Sequence, residues 1–271
     1  MIDKISAQIK NKIGNKQPKT AIILGSGLGK IADELTDKTI IKYEDIEGFP
    51  QSSVSGHAGQ LVIGRLEGVE ILCMQGRVHL YEGHKPQSID LIIKSFKKLG
   101  IEYLIVTNAA GSLDINMPAG SLMLIKDHIN FSGQNPLVGV NDDKSGPRFP
   151  DLSNAYDHDI RNIVKNTAKK EDIKLYEGVY LMVLGPNFET AAEIKAFRIL
   201  GADAVGMSTV PEVVSAVHSG MKVLGFSVIT NLGTGMRDGK QSHEETLHEG
   251  KKASQNLINL LKAYIKETKN G

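Results

Sequence analysis

Ile2, Ile5, Ile9 and Ile13 recur three or four residues apart with polar residues between them, a spacing that lays one apolar stripe along a helix ending near the Gly14-Asn15 pair. The period then changes. The short run TAIIL, Thr20 to Leu24, is apolar and β-branched and stops at GSGLG, which predicts a buried strand, a glycine turn and a helix over 30–35. QLVIGRL and VEILCMQG flank Glu67-Gly68 and predict a hairpin, and SIDLIIKSFKKLG has helical periodicity with a glycine stop at Gly100. Strand YLIVT then runs into NAAGS. The second half predicts a strand over 178–184, a helix over 190–200, a short strand AVGM, a helix after Pro211, a strand VLGFSVIT and a long last helix from about Ser242. Such alternation points to an α/β fold of three layers, α/β/α, and the hairpin makes its central sheet mixed.

Composition narrows the partners. The chain has 271 residues, 41% of them hydrophobic, and shows no linker, repeat or low-complexity tract, so one domain over 1–271 is expected. A net charge of +1 offers no electrostatic reason to expect nucleic acid or an anionic membrane. No apolar run reaches the roughly 18 residues of a membrane span. A single cysteine, Cys73, and an N-terminus without a signal-peptide core point to the cytoplasm.

In open α/β sheets the ligand crevice lies beyond the carboxyl ends of the strands, so polar residues just after apolar runs are the ones to examine. Ser26, Asn108, Ser208 and Asn231 stand at such ends, although Ser and Asn also serve as turn and cap formers. In GRVHLYEGH an extended chain would place Arg77, His79 and Tyr81 on one face, a cationic and aromatic surface suited to an oxyanion; the other reading is a solvent-facing edge strand. GSGLG fits neither the dinucleotide fingerprint, where Lys30 replaces the third glycine, nor the Walker pattern, which needs glycine at Leu24 and Ser or Thr at Ile31. What remains is a backbone nest at Ser26, backed by the following helix N-terminus. His243 and His248 are five apart, roughly 140° around a helix, which does not stack them as zinc ligands, so no metal is expected. Thr190 and Glu193 have the spacing of a capping box, which leaves Glu189 as either a carboxylate beside a helix N-terminus or a group facing a polar ligand.

Taken in order from Gly25 to Thr246, the strings GSGLG, SGHAG, GRVHLYEGH, TNAAGSL, DHINFSGQNPL, GPRFPDLSNAYD, GPNFETAAE, GADAVGMSTVPEV and SVITN, with SHEET after them, resemble the trimeric purine nucleoside phosphorylases. The resemblance implies reversible phosphorolysis of 6-oxopurine nucleosides such as inosine and guanosine, with inorganic phosphate as co-substrate and no metal or organic cofactor. It implies that Ser26, His57, Arg77, His79, Ala109 and Ser208 hold phosphate, and that Tyr81, Met207 and His243 contact the ribose. Phe149 is implied to reach a neighbouring subunit's ribose site in a homotrimer, while Phe188, Glu189, Val205 and Asn231 surround the purine. Asn231, Glu189 and His79 are the implied catalytic groups. The related methylthioadenosine phosphorylases carry Asp at the position of Asn231 and lack the glutamate of Phe188-Glu189, and this sequence has neither change. A hydrolytic nucleosidase has no use for the Ser26, Arg77 and His79 set, and a non-catalytic sensor of purine or phosphate would be expected to lose these contacts. Two segments depart from the family pattern: Ser112, where a second glycine is usual, and LGTGMRDGKQS between Asn231 and His243.

Overall fold

The computed structural model describes residues 1–53, 58–236 and 243–269, with no account of the side chains of 243–251. Helix α1 (Ile2–Ile13) buries Ile5, Ile9 and Ile13 and stops at Gly14, whose φ of +63° suits glycine. Strand β1 (Thr20–Leu24) follows, then one turn of helix, α2 (Lys30–Asp33). An edge strand, β2 (Thr36–Lys42), leads to the hairpin of β3 (Gln60–Leu66) and β4 (Val69–Gln75). Glu67 and Gly68 turn it with φ of +51° and +80°, the two positive values that match the twist of paired strands.

Helix α3 (Pro86–Leu99) starts two residues ahead of the predicted Ser88, because proline fits the first turn where no N–H partner is needed, and it ends at left-handed Gly100. β5 (Tyr103–Ser112) and β6 (Leu122–Asn130) precede α4 (His158–Lys170), which is capped by Asp157 accepting from Ile160 N–H. β7 (Leu175–Met182), α5 (Ala191–Ile199), β8 (Ala204–Gly206), α6 (Val210–His218), β9 (Lys222–Leu232) and α7 (His243–Lys269) complete the chain. The predicted box at α5 is present, with Glu193 N–H donating to Thr190 Oγ1 and Thr190 N–H to Glu193 Oε2. β2, β6 and α4 go beyond the elements the pattern marks. In β2 only Ile41 is buried, and in α4 the inward stripe is as narrow as Ile160, Val164, Thr167 and Ala168.

Among the described residues nine strands form one mixed sheet in the order β2-β3-β4-β1-β5-β8-β7-β6-β9. Alternation along the strands sorts the core into two layers. Ala21, Ile23, Leu72, Met74, Leu104 and Val106 pack with α1, α3 and α6, while Ile22, Leu24, Ile71, Cys73 and Ile105 pack with α4 and α7. This is the expected α/β/α arrangement, with one addition. Because β9 pairs with β5 as well as β6, the strands β5-β8-β7-β6-β9 close on themselves.

Candidate active site

β4, β1, β5 and β9 run parallel, so their carboxyl ends open on one side of the sheet. Leu24 lies opposite Gln75, and Ile23 opposite both Met74 and Val106. The next residues of each strand, Gly25-Ser26, Gly76-Arg77 and Thr107-Asn108, therefore meet although they are far apart in sequence. Gly25 N–H donates to Thr107 Oγ1 (3.1 Å), and that hydroxyl donates to Ile23 O (2.9 Å). A Cβ on Gly25 would lie 2.7 Å from Asn108 Cα and 2.8 Å from Thr107 O, so only glycine permits this approach. The turn closes with Leu28 N–H donating to Gly25 O, Gly27 takes φ +77°, and Ser26 is left at the lip of a cavity. The helix expected over 30–35 is only Lys30–Asp33, too short to add a useful dipole, so the turn's own amides and Ser26 form this wall.

That cavity has a volume of about 640 Å³. Arg77 enters it from the buried side, only 1% exposed, with Nη1 donating to Thr107 O (2.8 Å) and Ser208 Oγ (3.0 Å) and Nε 2.6 Å from Glu212 Oε1. The GRVHLYEGH run is not one extended face: it bends after His79 into a 3-10 turn over Leu80–Glu82, and Arg77 and His79 are buried instead of facing solvent. The turn forms because Glu82 Oε1 accepts from His79 N–H (2.7 Å) and lies 3.1 Å from His79 Nδ1. Burial pushes the Glu82 carboxyl up, but hydrogen bonds from Ser53 and His79 outweigh that and hold it below the usual carboxylate range. Bending brings Tyr81 onto His79 instead of separating them, with ring centroids 4.6 Å apart and planes 17° from parallel.

β8 and the two residues after it supply Val205, Gly206, Met207 and Ser208 to the same cavity. Ser208 N–H donates to Tyr180 OH (3.3 Å), and Val210 N–H to Ser208 O (2.9 Å) across Thr209, which adopts φ +80° and ψ −49°. This is a strained γ-turn in a β-branched residue, held by Asn108 Nδ2 donating to Thr209 Oγ1 (2.9 Å). Asn108 and Asn231 lie within β5 and β9, which overrun the predicted apolar runs, so both point from strand backbone and not from loops.

Phe188 and Glu189, from the segment before α5, and Asn231 line the same cavity. Burial pushes the Glu189 carboxyl above the usual range, and the charge of Glu193 adds to this. Asn231 Oδ1 accepts from Thr230 Oγ1 (2.8 Å) and its Nδ2 donates to Leu232 O (3.1 Å). Gly111 lies beneath it, where a Cβ would be 3.2 Å from Asn231 Nδ2. The unusual Ser112 is buried, and its hydroxyl donates to Asp114 O and accepts from Asp114 N–H, so it closes the turn after β5.

One cavity thus gathers Ser26, Arg77, His79, Tyr81, Ala109, Phe188, Glu189, Val205, Met207, Ser208 and Asn231. Against that geometry, a family model described as the phosphorylase superfamily matches residues 19–266. Purine nucleoside phosphorylase 1 of Bacillus subtilis is 48% identical over 264 residues, covering 97% of each chain. The chain belongs to the purine nucleoside phosphorylases. The fold agrees: the crystal structure of Schistosoma mansoni purine nucleoside phosphorylase in complex with adenosine superposes with a TM-score of 0.91 at 40% identity, covering 98% of this chain and 96% of that one. The structure of the Schistosoma mansoni enzyme in complex with inosine gives 0.91 at 39% identity, covering 98% and 95%.

Three further expected site residues of this phosphorylase are not among the described residues that line the cavity. Phe149 is 86% exposed and does not line the cavity of its own chain. His57 lies outside the described residues, as does the side chain of His243, the first residue of α7. Conversely, Glu212, Thr107, Thr209 and Glu82 shape the site without having been expected there. The only local signal for Glu212 was an acid in the first turn of a helix, which has an ordinary reading as a favourable partner of the helix N-terminus.

Proposed function

We propose that the enzyme cleaves 6-oxopurine ribonucleosides and deoxyribonucleosides reversibly with inorganic phosphate, and that the whole chain acts as one domain. The observation that carries this reading is that a cationic, hydroxyl-lined end (Arg77, His79, Ser26, Ser208) and an amide–carboxyl end (Asn231, Glu189) share a single cavity. Phosphate is held by the first group with the backbone of Ala109 and with His57. Tyr81, Met207 and His243 hold the ribose between the two ends. Phe188, Glu189, Val205 and Asn231 hold the base.

In the reaction the glycosidic carbon–nitrogen bond breaks, its electron pair passes to the purine, and a phosphate oxygen forms the new bond to the anomeric carbon. The transition state carries positive charge on the sugar and negative charge on the base. A dianion fixed beneath the sugar by Arg77 opposes the first and removes the entropic cost of a bimolecular encounter. Asn231 meets the second by hydrogen bonding where charge grows, and Glu189 anchors the protonated edge of the ring. No metal or organic cofactor enters this scheme.

We further infer a homotrimer in which Phe149 completes a neighbour's ribose site. Exposure of Phe149 together with Val138 and Val140, in the segment between β6 and α4, supports an interface there. A single cysteine, Cys73, buried and in no disulfide, supports a cytoplasmic setting. The test is to incubate the protein with inosine, guanosine, adenosine and methylthioadenosine, with and without phosphate, and to quantify base and sugar phosphate. Hypoxanthine and ribose 1-phosphate should form from inosine only with phosphate. Base released without it assigns a hydrolase, and methylthioadenosine as the best substrate assigns the other phosphorylase.

A further inference from the structure

Arg77 and Glu212 form a buried ion pair, 1% and 4% exposed at their side chains, with Nε 2.6 Å from Oε1. Glu212 is the third residue of α6, directly after the γ-turn at Thr209, so its place depends on the same turn that presents Ser208. Arg77 Nη1 is already committed to Thr107 O and Ser208 Oγ, and Glu212 takes the Nε side. A guanidinium is a rigid planar fork, so holding Nε and Nη1 fixes the plane in which it meets an oxyanion. The other oxygen, Oε2, is buried with no hydrogen-bond partner among the described residues, and Glu212 lines a small cavity together with Ile23, Met74, Val78 and Ile89. Oε1 is thus the carboxylate oxygen set beside Nε, and Oε2 makes no hydrogen bond among the described residues.

We infer that Glu212 is a positioning residue for phosphorolysis: it acts through Arg77, aiming the guanidinium at phosphate by the placement of one oxygen, and its charge is secondary. This rests on the reading of the Arg77 end of the cavity as the phosphate site. A counter-ion role is the rival account, since a buried arginine needs charge compensation as well as hydrogen bonds. The two accounts order the conservative variants oppositely. Glu212→Asp keeps the charge and withdraws the oxygen by one methylene, whereas Glu212→Gln keeps an oxygen at the same reach and removes the charge.

Steady-state kinetics with inosine and phosphate varied independently decide between them, with Glu212→Ala as the full deletion and melting curves as the check on folding. Positioning requires that the Asp and Ala variants raise the phosphate KM on the order of tenfold or more, because small misplacements of a binding group are costly. The Gln variant should recover a phosphate KM within about threefold of wild type, and the inosine KM should stay within about twofold throughout, as expected when one partner's site alone is altered. If Glu212→Ala does not fold, the Asp and Gln pair still decides, since each retains a polar partner for Arg77. The reverse order, with Asp normal and Gln impaired, overturns the inference in favour of charge compensation, as does an unchanged phosphate KM in the Asp variant. A wild-type enzyme whose turnover ignores phosphate sinks the functional reading itself, and the inference with it.

Discussion

Asn108 Nδ2 donates to Thr209 Oγ1 across 2.9 Å and ties the middle of β5 to a residue held at φ +80°. The bond joins the strand that lies beside the Gly25 turn to the turn that carries Ser208, and so ties together two walls of the proposed phosphate end. Substituting Thr209 separates its hydrogen bond from its strain. Thr209→Ala keeps the positive φ and loses the hydroxyl, so it should destabilise the protein by about 1–2 kcal/mol. Thr209→Gly loses the same bond but removes a backbone penalty of about 1–3 kcal/mol, and should be nearer wild type in stability. Both should raise the phosphate KM. Thermal unfolding tests the order, and a glycine variant less stable than the alanine variant contradicts it.

Gly25 is a second place where backbone meets backbone. An added methyl would sit 2.7 Å from Asn108 Cα and 2.8 Å from Thr107 O, neither of which can rotate away. Gly25→Ala should therefore lower the melting temperature, cost about 1–3 kcal/mol as overpacking does, and raise the phosphate KM more than the inosine KM. Equal effects on the two KM values would detach this turn from the phosphate end.

Glu189 makes stability and activity pull in opposite directions. Burial, reinforced by Glu193, raises its carboxyl pKa in the folded protein. A group with a raised folded pKa contributes stability that is fully present below its unfolded value and lost as pH rises through the folded one. Compared with wild type, ligand-free Glu189→Gln should melt at about the same temperature near pH 4 and at a higher one near pH 7. Its turnover of inosine should nevertheless fall on the order of a hundred-fold, through loss of the anchor on the base. A melting difference that does not change with pH removes the electrostatic account.

The Asn231 amide lines the cavity and carries both a donor and an acceptor, with Gly111 leaving it room. Replacing the amide with a carboxylate exchanges the donor for a second acceptor. Asn231→Asp should shift relative kcat/KM from inosine toward adenosine, read from paired assays of the two substrates. An unchanged ratio disconnects Asn231 from the choice between carbonyl and amino groups at the purine 6-position.

Much of the scaffold was legible because it is written over short distances. The spacing of Ile5, Ile9 and Ile13, the alternation in TAIIL and VEILCMQ, the Glu67-Gly68 turn and the Thr190–Glu193 cap all act within a few residues, where sterics and burial leave few alternatives. Residue types that suit phosphate and purine were visible for the same reason, and the family motifs named most of the cavity's walls. The bend that stacks Tyr81 on His79, the closure of five strands through β9 and the burial of Arg77 against Glu212 were decided only in three dimensions. Arg77 and Ser208 are 131 positions apart. Their meeting depends on which strands lie side by side and in what register, a property of the assembled sheet that no local window of sequence contains.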